Sequence, residues 1–335
     1  MQRVRIAGTG SYLPEKIVTN DDLAKRLDTS DEWIFTHSGI HARHFAAPEE
    51  SSSSLGAVAA SRALEAAGAR PEEIGLVLCA TSSPDYAIYP SNACLIQARL
   101  GLSAAGAFDL SAACSGFVYS LEMARAWLLA NPTKKALVIG CETLTRAVDW
   151  NDHSTCILFG DGAGAAVLEV ADAPDDALPY HSMIGADGTG AQAITHDGGY
   201  RVAPPEVPMG EKATVPVPYM TMNGRVVFNF AVKKLGEIVT TLTERAGVRK
   251  EDLSMIYAHQ ANARILEAVA KRVELPIEKF YMSLAETGNM STASVPYILD
   301  KASRSGVLKD GDKVTLAAFG SGLTWAGALT QWPWL

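Results

Sequence analysis

Ala67-Gly68-Ala69-Arg70-Pro71-Glu72-Glu73-Ile74-Gly75-Leu76-Val77-Leu78-Cys79-Ala80 has an echo in Ala246-Gly247-Val248-Arg249-Lys250-Glu251-Asp252-Leu253-Ser254-Met255-Ile256-Tyr257-Ala258-His259. Each reads as the end of an amphipathic helix, a glycine stop, an acidic turn and a buried strand. The offset, from Ala80 to His259, is 179 residues, and the same offset lays Cys114 on Ala293. Both of those positions stand in small-residue runs that lead into a helical pattern. Two matches at one spacing predict a chain built from two related halves, over residues 1–170 and 171–335.

Working outward, helical patterns alternate with strand-like apolar runs. Helices are expected over 55–67 and 91–100, with strands over 76–80 and 136–139. Farther on, helices are expected over 232–246, 263–272 and 294–303, with strands over 255–258 and 313–318. The alternation predicts an α/β protein whose sheets are mainly buried. Residues 114–129 are apolar nearly all round (Phe117, Val118, Leu121, Met123, Ala124, Trp127 and Leu128), which predicts a helix in the middle of the protein. Residues 171–222, rich in Pro, Gly and Asp, read first as a connector with an extended excursion over the surface, and second as part of a substrate mouth. Gly160-Asp161-Gly162-Ala163-Gly164 precedes a strand-like run, so it reads as a structural glycine turn and not as a dinucleotide loop.

The 335 residues are 48% hydrophobic and 20% charged, an ordinary globular balance. A net charge of −8 speaks against nucleic acid as a partner. No apolar run approaches membrane-spanning length, and Met1 to Gly10 reads as a first strand and glycine turn rather than a signal peptide. Five cysteines without regular spacing argue against a disulfide framework and a zinc site. The expectation is a cytoplasmic protein with reduced thiols.

Cys114 lies in Ala107-Phe108-Asp109-Leu110-Ser111-Ala112-Ala113-Cys114-Ser115-Gly116-Phe117. The start of a helix favours a thiolate, and small neighbours let a carbonyl approach while leaving backbone N–H groups free for an oxyanion. Cys94 also begins a helix but has no supporting motif, and Cys79, Cys141 and Cys156 read as core. His259 ends a buried strand, where α/β proteins build their sites. Asn289, in Thr287-Gly288-Asn289-Met290-Ser291, reads by composition as a turn residue or helix cap. The order Cys, His, Asn would also suit a papain-like hydrolase, but the surroundings of that family's nucleophile are missing here.

Ser30-Asp31-Glu32-Trp33, Ala112-Ala113-Cys114-Ser115-Gly116-Phe117, Phe159-Gly160-Asp161-Gly162-Ala163-Gly164-Ala165, His259-Gln260-Ala261-Asn262, Gly288-Asn289 and Phe319-Gly320-Ser321-Gly322-Leu323-Thr324-Trp325 occur in that order. Together they resemble the β-ketoacyl-(acyl-carrier-protein) synthase III family, and the match runs from Gly8-Thr9-Gly10 to the last tryptophan-containing strand. The resemblance implies a thiolase fold, an αβαβα sandwich of two pseudo-repeated halves, usually in a homodimer. It implies that Cys114 takes an acyl group from a thioester, normally acyl-CoA, with backbone N–H groups of Cys114 and Ser321 as the oxyanion hole. His259 and Asn289 would then hold the thioester carbonyl of malonyl-carrier protein while CO2 leaves, and the enolate would attack acyl-Cys114. Such chemistry starts fatty-acid or related chains and needs no metal or organic cofactor. By the same resemblance, Trp33, Phe319, Gly224 and a partner subunit's equivalent of Tyr89 contact substrate, and Arg264, Lys271 and Arg272 dock the acyl carrier protein.

The chain departs from that pattern in places. Ser321 replaces a glycine, although its implied contact is through backbone, and Asn229 stands where a lysine is common. His37 and His153 occupy the positions of arginines that grip CoA. Histidine lacks the guanidinium fork. A second reading is therefore a same-fold acyltransferase or specialised condensing enzyme of secondary metabolism, with a non-malonyl acceptor or a donor other than CoA. A degradative thiolase does not fit, because no cysteine follows Cys156.

Overall fold

The computed structural model describes residues 2–196 and 219–335. Up to Asp172 the chain forms strands β1 (Gln2–Tyr12), β2 (Lys16–Thr19), β3 (Ala42–Phe45), β4 (Ile74–Ala80), β5 (Gly106–Leu110), β6 (Lys135–Thr143) and β7 (Asp161–Asp172). Its helices there are α1 (Asn20–Ala24), α2 (Asp31–Ser38), α3 (Ser52–Ala66), α4 (Asn92–Arg99), α5 (Gly116–Ala130) and α6 (His153–Cys156). Beyond come β8 (His181–Ala186), β9 (Ile194–Thr195), β10 (Thr221–Met222), β11 (Met255–Ala258), β12 (Lys313–Gly320) and β13 (Thr324–Gln331). The later helices are α7 (Gly224–Ala246), α8 (Ala263–Val273), α9 (Leu284–Thr287) and α10 (Ser294–Arg304).

One sheet has the order β1-β7-β6-β4-β5 and the other β11-β12-β13-β8. In the first, β4 runs parallel to β5 and β6, while β7 is antiparallel to β6 and β1. The second repeats this: β11 is parallel to β12, and β13 is antiparallel to β12 and β8. Where β5 would be repeated there is one parallel bridge, Ile256 to Phe280.

Helices α5 and α10 lie between the sheets. Phe117, Leu121 and Leu128 of α5 and Ile298 and Leu299 of α10 share a core with Leu78, Val138, Leu316 and Ala328. Outside the first sheet, Leu55, Ala59 and Ala63 of α3 pack on Val77, Ile139 and Val167. Outside the second, Leu235, Ile238 and Leu242 of α7 and Val269 of α8 pack on Ile256, Ala317 and Leu329. The result is the five-layer αβαβα sandwich. Strands covered on both faces, such as β4 (Ile74–Ala80), are mostly apolar, which is why their runs read as continuous. A smaller core of Val18, Ile34, Leu144, Val148 and Ile157 joins α2 and the β2–β3 ladder to the segment after β6. No helix among the described residues is long and apolar enough to cross a membrane.

Four expectations need correction. The echo holds at 179 through the glycine stops, Gly68 and Gly247, whose φ angles are 58° and 63°. It then becomes 178: Ala80 and Ala258 end strands, and Gly116 and Ser294 begin helices. The extra residue is a register shift between Ile74 and Leu76, where β4 meets β6; the β11–β12 ladder has none. Cys114 therefore corresponds to Thr292 and not to Ala293. Second, the stretch from Gly160 is no turn, because β7 starts at Asp161. A Cβ on Gly162 would lie 2.5 Å from Met290 Sδ, and one on Gly164 would lie 2.6 Å from the Tyr297 nitrogen. Glycine there lets the segment from Met290 to Tyr297 press onto the sheet. Third, residues 171–222 are more than a connector: β8 is an edge strand and β9 pairs with β10. The prolines from Pro204 to Pro218 lie outside the described residues. Fourth, α5 starts at Gly116 and leaves Met123 and Leu129 exposed, so its burial is incomplete.

Candidate active site

Two equivalent turns, Ala113–Ser115 before α5 and Ser291–Ala293 before α10, meet between the sheets. Ala113 and Ser291 each have φ of +45°, a region costly for residues with a Cβ. Each turn leans on a glycine of the other sheet. A Cβ on Gly320 would lie 2.8 Å from the Cys114 nitrogen and 3.0 Å from the Ala112 oxygen, and one on Gly140 would lie 2.3 Å from the Thr292 oxygen. This mutual fit presents Cys114 to a cavity of about 460 Å³. His259, Asn289, Phe319 and Ser321 line the same cavity, as do Trp33, His37, His153 and Gly224. Described parts of the presumed connector also line it, through Ile194, Met220 and Met222.

Cys114 is half-buried. Burial pushes its thiol up to about 12; a hydrogen bond from the Ser291 hydroxyl lowers it and the nearby Glu142 raises it. The expected bias of a helix start toward thiolate is thus outweighed by desolvation before a substrate binds.

His259 follows β11, and its N–H donates to the Ala317 carbonyl at 2.8 Å. Its ring meets Phe319 edge-on, with centroids 5.3 Å apart. Both ring nitrogens are buried and have no hydrogen-bond partner among the described residues. Burial alone pushes this histidine down to about 3. A neutral imidazole with uncommitted nitrogens is costly to keep and is suited to a partner that arrives with substrate. Asn289 is clamped by backbone: its N–H donates to the Leu158 carbonyl at 2.8 Å, and its carbonyl accepts from Gly160 N–H at 3.0 Å. Its Oδ1 accepts from Ser291 N–H at 2.8 Å, leaving the side-chain NH2 as donor.

Glu142 was not singled out from the sequence. Its carboxylate is fully buried at the end of β6. It accepts from Ser82 N–H at 3.0 Å, the Ser83 hydroxyl at 2.6 Å and the Thr292 hydroxyl at 2.9 Å. Burial raises its pKa while these bonds lower it. It ties the loop after β4 to the turn that carries Ser291. One signal was visible: a lone acid within Ala136-Leu137-Val138-Ile139-Gly140-Cys141-Glu142.

The other sequence candidates separate in space. Ser321 turns its hydroxyl to the Ile194 carbonyl at 2.7 Å. Trp33 is exposed and stacks on His37, with centroids 4.2 Å apart. Tyr89 is 80% exposed and does not line this cavity. Arg264, Lys271 and Arg272 are all exposed on α8, and the stem of Arg272 passes close to Gly236 of α7. Among the described residues, no three His, Cys, Asp or Glu side chains gather as a metal would require.

The depressed His259 sets a pH dependence. An unfolded histidine titrates near 6.5 and the folded one near 3, so between those values the unfolded chain binds more protons. Stability from this group is complete above the unfolded value and falls by about 1.4 kcal/mol per pH unit as pH drops toward the folded one. Urea unfolding of the wild type and His259→Asn at pH 7 and pH 5 should show their stability difference changing by about 2 kcal/mol. A difference that stays flat would refute the burial cost.

Known proteins resemble the chain in sequence and in fold. Residues 108–188 match the family model 3-oxoacyl-[acyl-carrier-protein (ACP)] synthase III, and residues 243–332 match its C-terminal counterpart. The beta-ketoacyl-[acyl-carrier-protein] synthase III of Xanthomonas axonopodis pv. citri is 48% identical over 328 residues, 98% of each chain. The protein of the same description from Caldanaerobacter subterraneus is 45% identical, over 98% of this chain and 97% of the other. The crystal structure of 3-oxoacyl-[acyl-carrier-protein] synthase III from Aquifex aeolicus is 40% identical, with a TM-score of 0.88, and the match covers 98% of this chain and all of that one. Alike in sequence over nearly its full length and in overall structure, the chain belongs to the 3-oxoacyl-[acyl-carrier-protein] synthase III family.

Proposed function

We propose that this condensing enzyme works through Cys114, His259 and Asn289 in a two-stage exchange. The observation that carries the reading is one cavity holding a half-buried thiol, a neutral histidine with uncommitted nitrogens and a clamped carboxamide. In the first stage, Cys114 sulfur attacks the carbonyl of an acyl thioester such as acyl-CoA. The C–S bond to the carrier breaks, and the thiol proton ends on the departing sulfur. The Ser291 hydroxyl eases formation of the thiolate, and backbone N–H groups at Cys114 and Ser321 take the oxyanion. In the second stage, malonyl-acyl carrier protein enters, and His259 and Asn289 donate to its thioester oxygen. As CO2 leaves, that oxygen gains negative charge, which fixed donors in a dry site stabilise without reorganisation. The enolate carbon attacks the carbonyl of acyl-Cys114, the C–S bond to Cys114 breaks, and a β-ketoacyl thioester of the carrier leaves while the freed thiolate takes a proton from solvent. None of these steps calls for a metal or organic cofactor.

Partners follow the same reading. Arg264 and Lys271 offer charge to an acidic carrier protein. β5 forms one edge of its sheet, and Phe108 on it is half exposed, as are Tyr86 and Ile88 beside Tyr89. An open edge with apolar side chains favours pairing with a second copy, and a homodimer would carry Tyr89 toward its partner. The two sheets support treating residues 1–170 and 171–335 as separate halves.

Mass spectrometry of the protein after exposure to a panel of acyl thioesters should place the acyl group on Cys114. Adding malonyl-carrier protein should clear it as β-ketoacyl product. Labelling on another cysteine, or release of free acid alone, would sink the mechanism.

A further inference from the structure

Arg225 is a cation at the lip of the cavity that the chemistry above leaves unused. Beside the mouth lies a groove of about 420 Å³ lined by His37, Arg225, Phe228, Asn262 and Arg264. Three of these, His37, Phe228 and Asn262, also line the catalytic cavity, so the two spaces share a wall. Arg225 is in the first turn of α7 and Arg264 in the first turn of α8. Both are exposed, and neither guanidinium has a carboxylate or side-chain hydrogen bond among the described residues. Arg5, Arg249 and Arg304, by contrast, are each engaged by an acid. His37 is less available, since its Nδ1 is 2.6 Å from the Trp33 carbonyl and its ring stacks on Trp33.

Two uncommitted guanidinium groups on one groove, each at the positive end of a helix, suit a phosphate. We propose that Arg225, together with Arg264, seats a phosphate of the acyl donor, so that the pantetheine arm runs from this groove into the cavity toward Cys114. The proposal rests on the functional reading above, because it assumes a thioester donor in that cavity. The shared chemistry is a phosphate ester beyond the pantetheine. It could be the 3′-phosphate of CoA, or the phosphate nearest the arm, which a carrier protein's prosthetic group also has.

Calorimetric binding of CoA, 3′-dephospho-CoA and pantetheine to the wild type, Arg225→Ala and Arg225→Lys tests this. Losing one charge-assisted contact should weaken CoA about tenfold in Arg225→Ala. Arg225→Lys should lose less, and pantetheine binding should not change. In steady state, KM for acetyl-CoA should rise by the same factor with kcat unaltered. If the penalty disappears with 3′-dephospho-CoA, the 3′-phosphate occupies the seat; if it persists, the seat holds the phosphate nearest the arm. Equal weakening of pantetheine, no change in any ligand, no CoA binding by the wild type, or a KM effect confined to malonyl-carrier protein would each overturn the proposal. The two readings fail separately. Phosphate-dependent binding through Arg225 without acylation of Cys114 would refute the mechanism and keep the seat, and normal acylation with an indifferent Arg225 would do the reverse.

Discussion

Cys114→Ala should cut condensation by about 10⁴-fold or more, the scale seen when a covalent nucleophile is removed, while release of CO2 from malonyl-carrier protein continues. The split follows from how the residues are held. His259 rests on the Ala317 carbonyl and against Phe319, and Asn289 is fixed by Leu158, Gly160 and Ser291. None of those anchors uses the Cys114 sulfur. The enolate can therefore form with no acyl group waiting for it. His259→Ala or Asn289→Ala should behave oppositely, keeping acyl transfer to Cys114 while losing about 10²–10³-fold in CO2 release, the usual cost of one donor to a developing oxyanion. Separate assays of the β-ketoacyl product and of CO2 would check this. If both activities fell together in Cys114→Ala, the stages would not be separable and the assignment of roles would fail.

Gly320→Ala should cost about 10²-fold in kcat/KM for the acyl donor with the fold retained, since displacement of a reacting group by about an ångström has that effect. The added Cβ would meet backbone: the Cys114 nitrogen at 2.8 Å, the Ala112 oxygen at 3.0 Å and the Ser115 nitrogen at 3.1 Å. No flexible side-chain end is there to swing aside, so the turn itself must move, and the sulfur and its oxyanion N–H move with it. Overpacking of this kind costs about 1–3 kcal/mol, which urea unfolding would register. Wild-type acylation kinetics in a folded Gly320→Ala protein would show that the turn does not position the nucleophile.

Much of this architecture was legible in the sequence because its causes are local. The glycine stops at Gly68 and Gly247, the apolar strands and the helix after Cys114 are written in spacing and hydropathy. The one-residue slip of the echo was hidden, since a register shift beside Gly75 depends on the neighbouring strand. The glycines of β7 resemble a turn in sequence for a similar reason: what excludes their side chains is Met290 and Tyr297, more than a hundred residues away in sequence. His259 and Asn289 could be named by strand end and motif. Their defining properties, an imidazole without partners and a carboxamide fixed by Ser291, arise only when distant segments meet. At Cys114 the start of a helix favours a thiolate while burial raises the thiol, and burial depends on the whole fold.

The pairing of the two turns also bears on how the halves came to differ. Cys114 and Thr292 occupy equivalent places after strained residues, each pressed to a glycine of the opposite sheet. One copy carries a thiol open to the cavity, while the other carries a hydroxyl bound to the buried Glu142. The two equivalent turns thus divide the work, with the thiol on one and a brace to Glu142 on the other. Because each turn's backbone fits against a glycine of the opposite sheet, a shift in either backbone would be felt across the seam, whereas the side chains at positions 114 and 292 face different surroundings and can differ in chemistry.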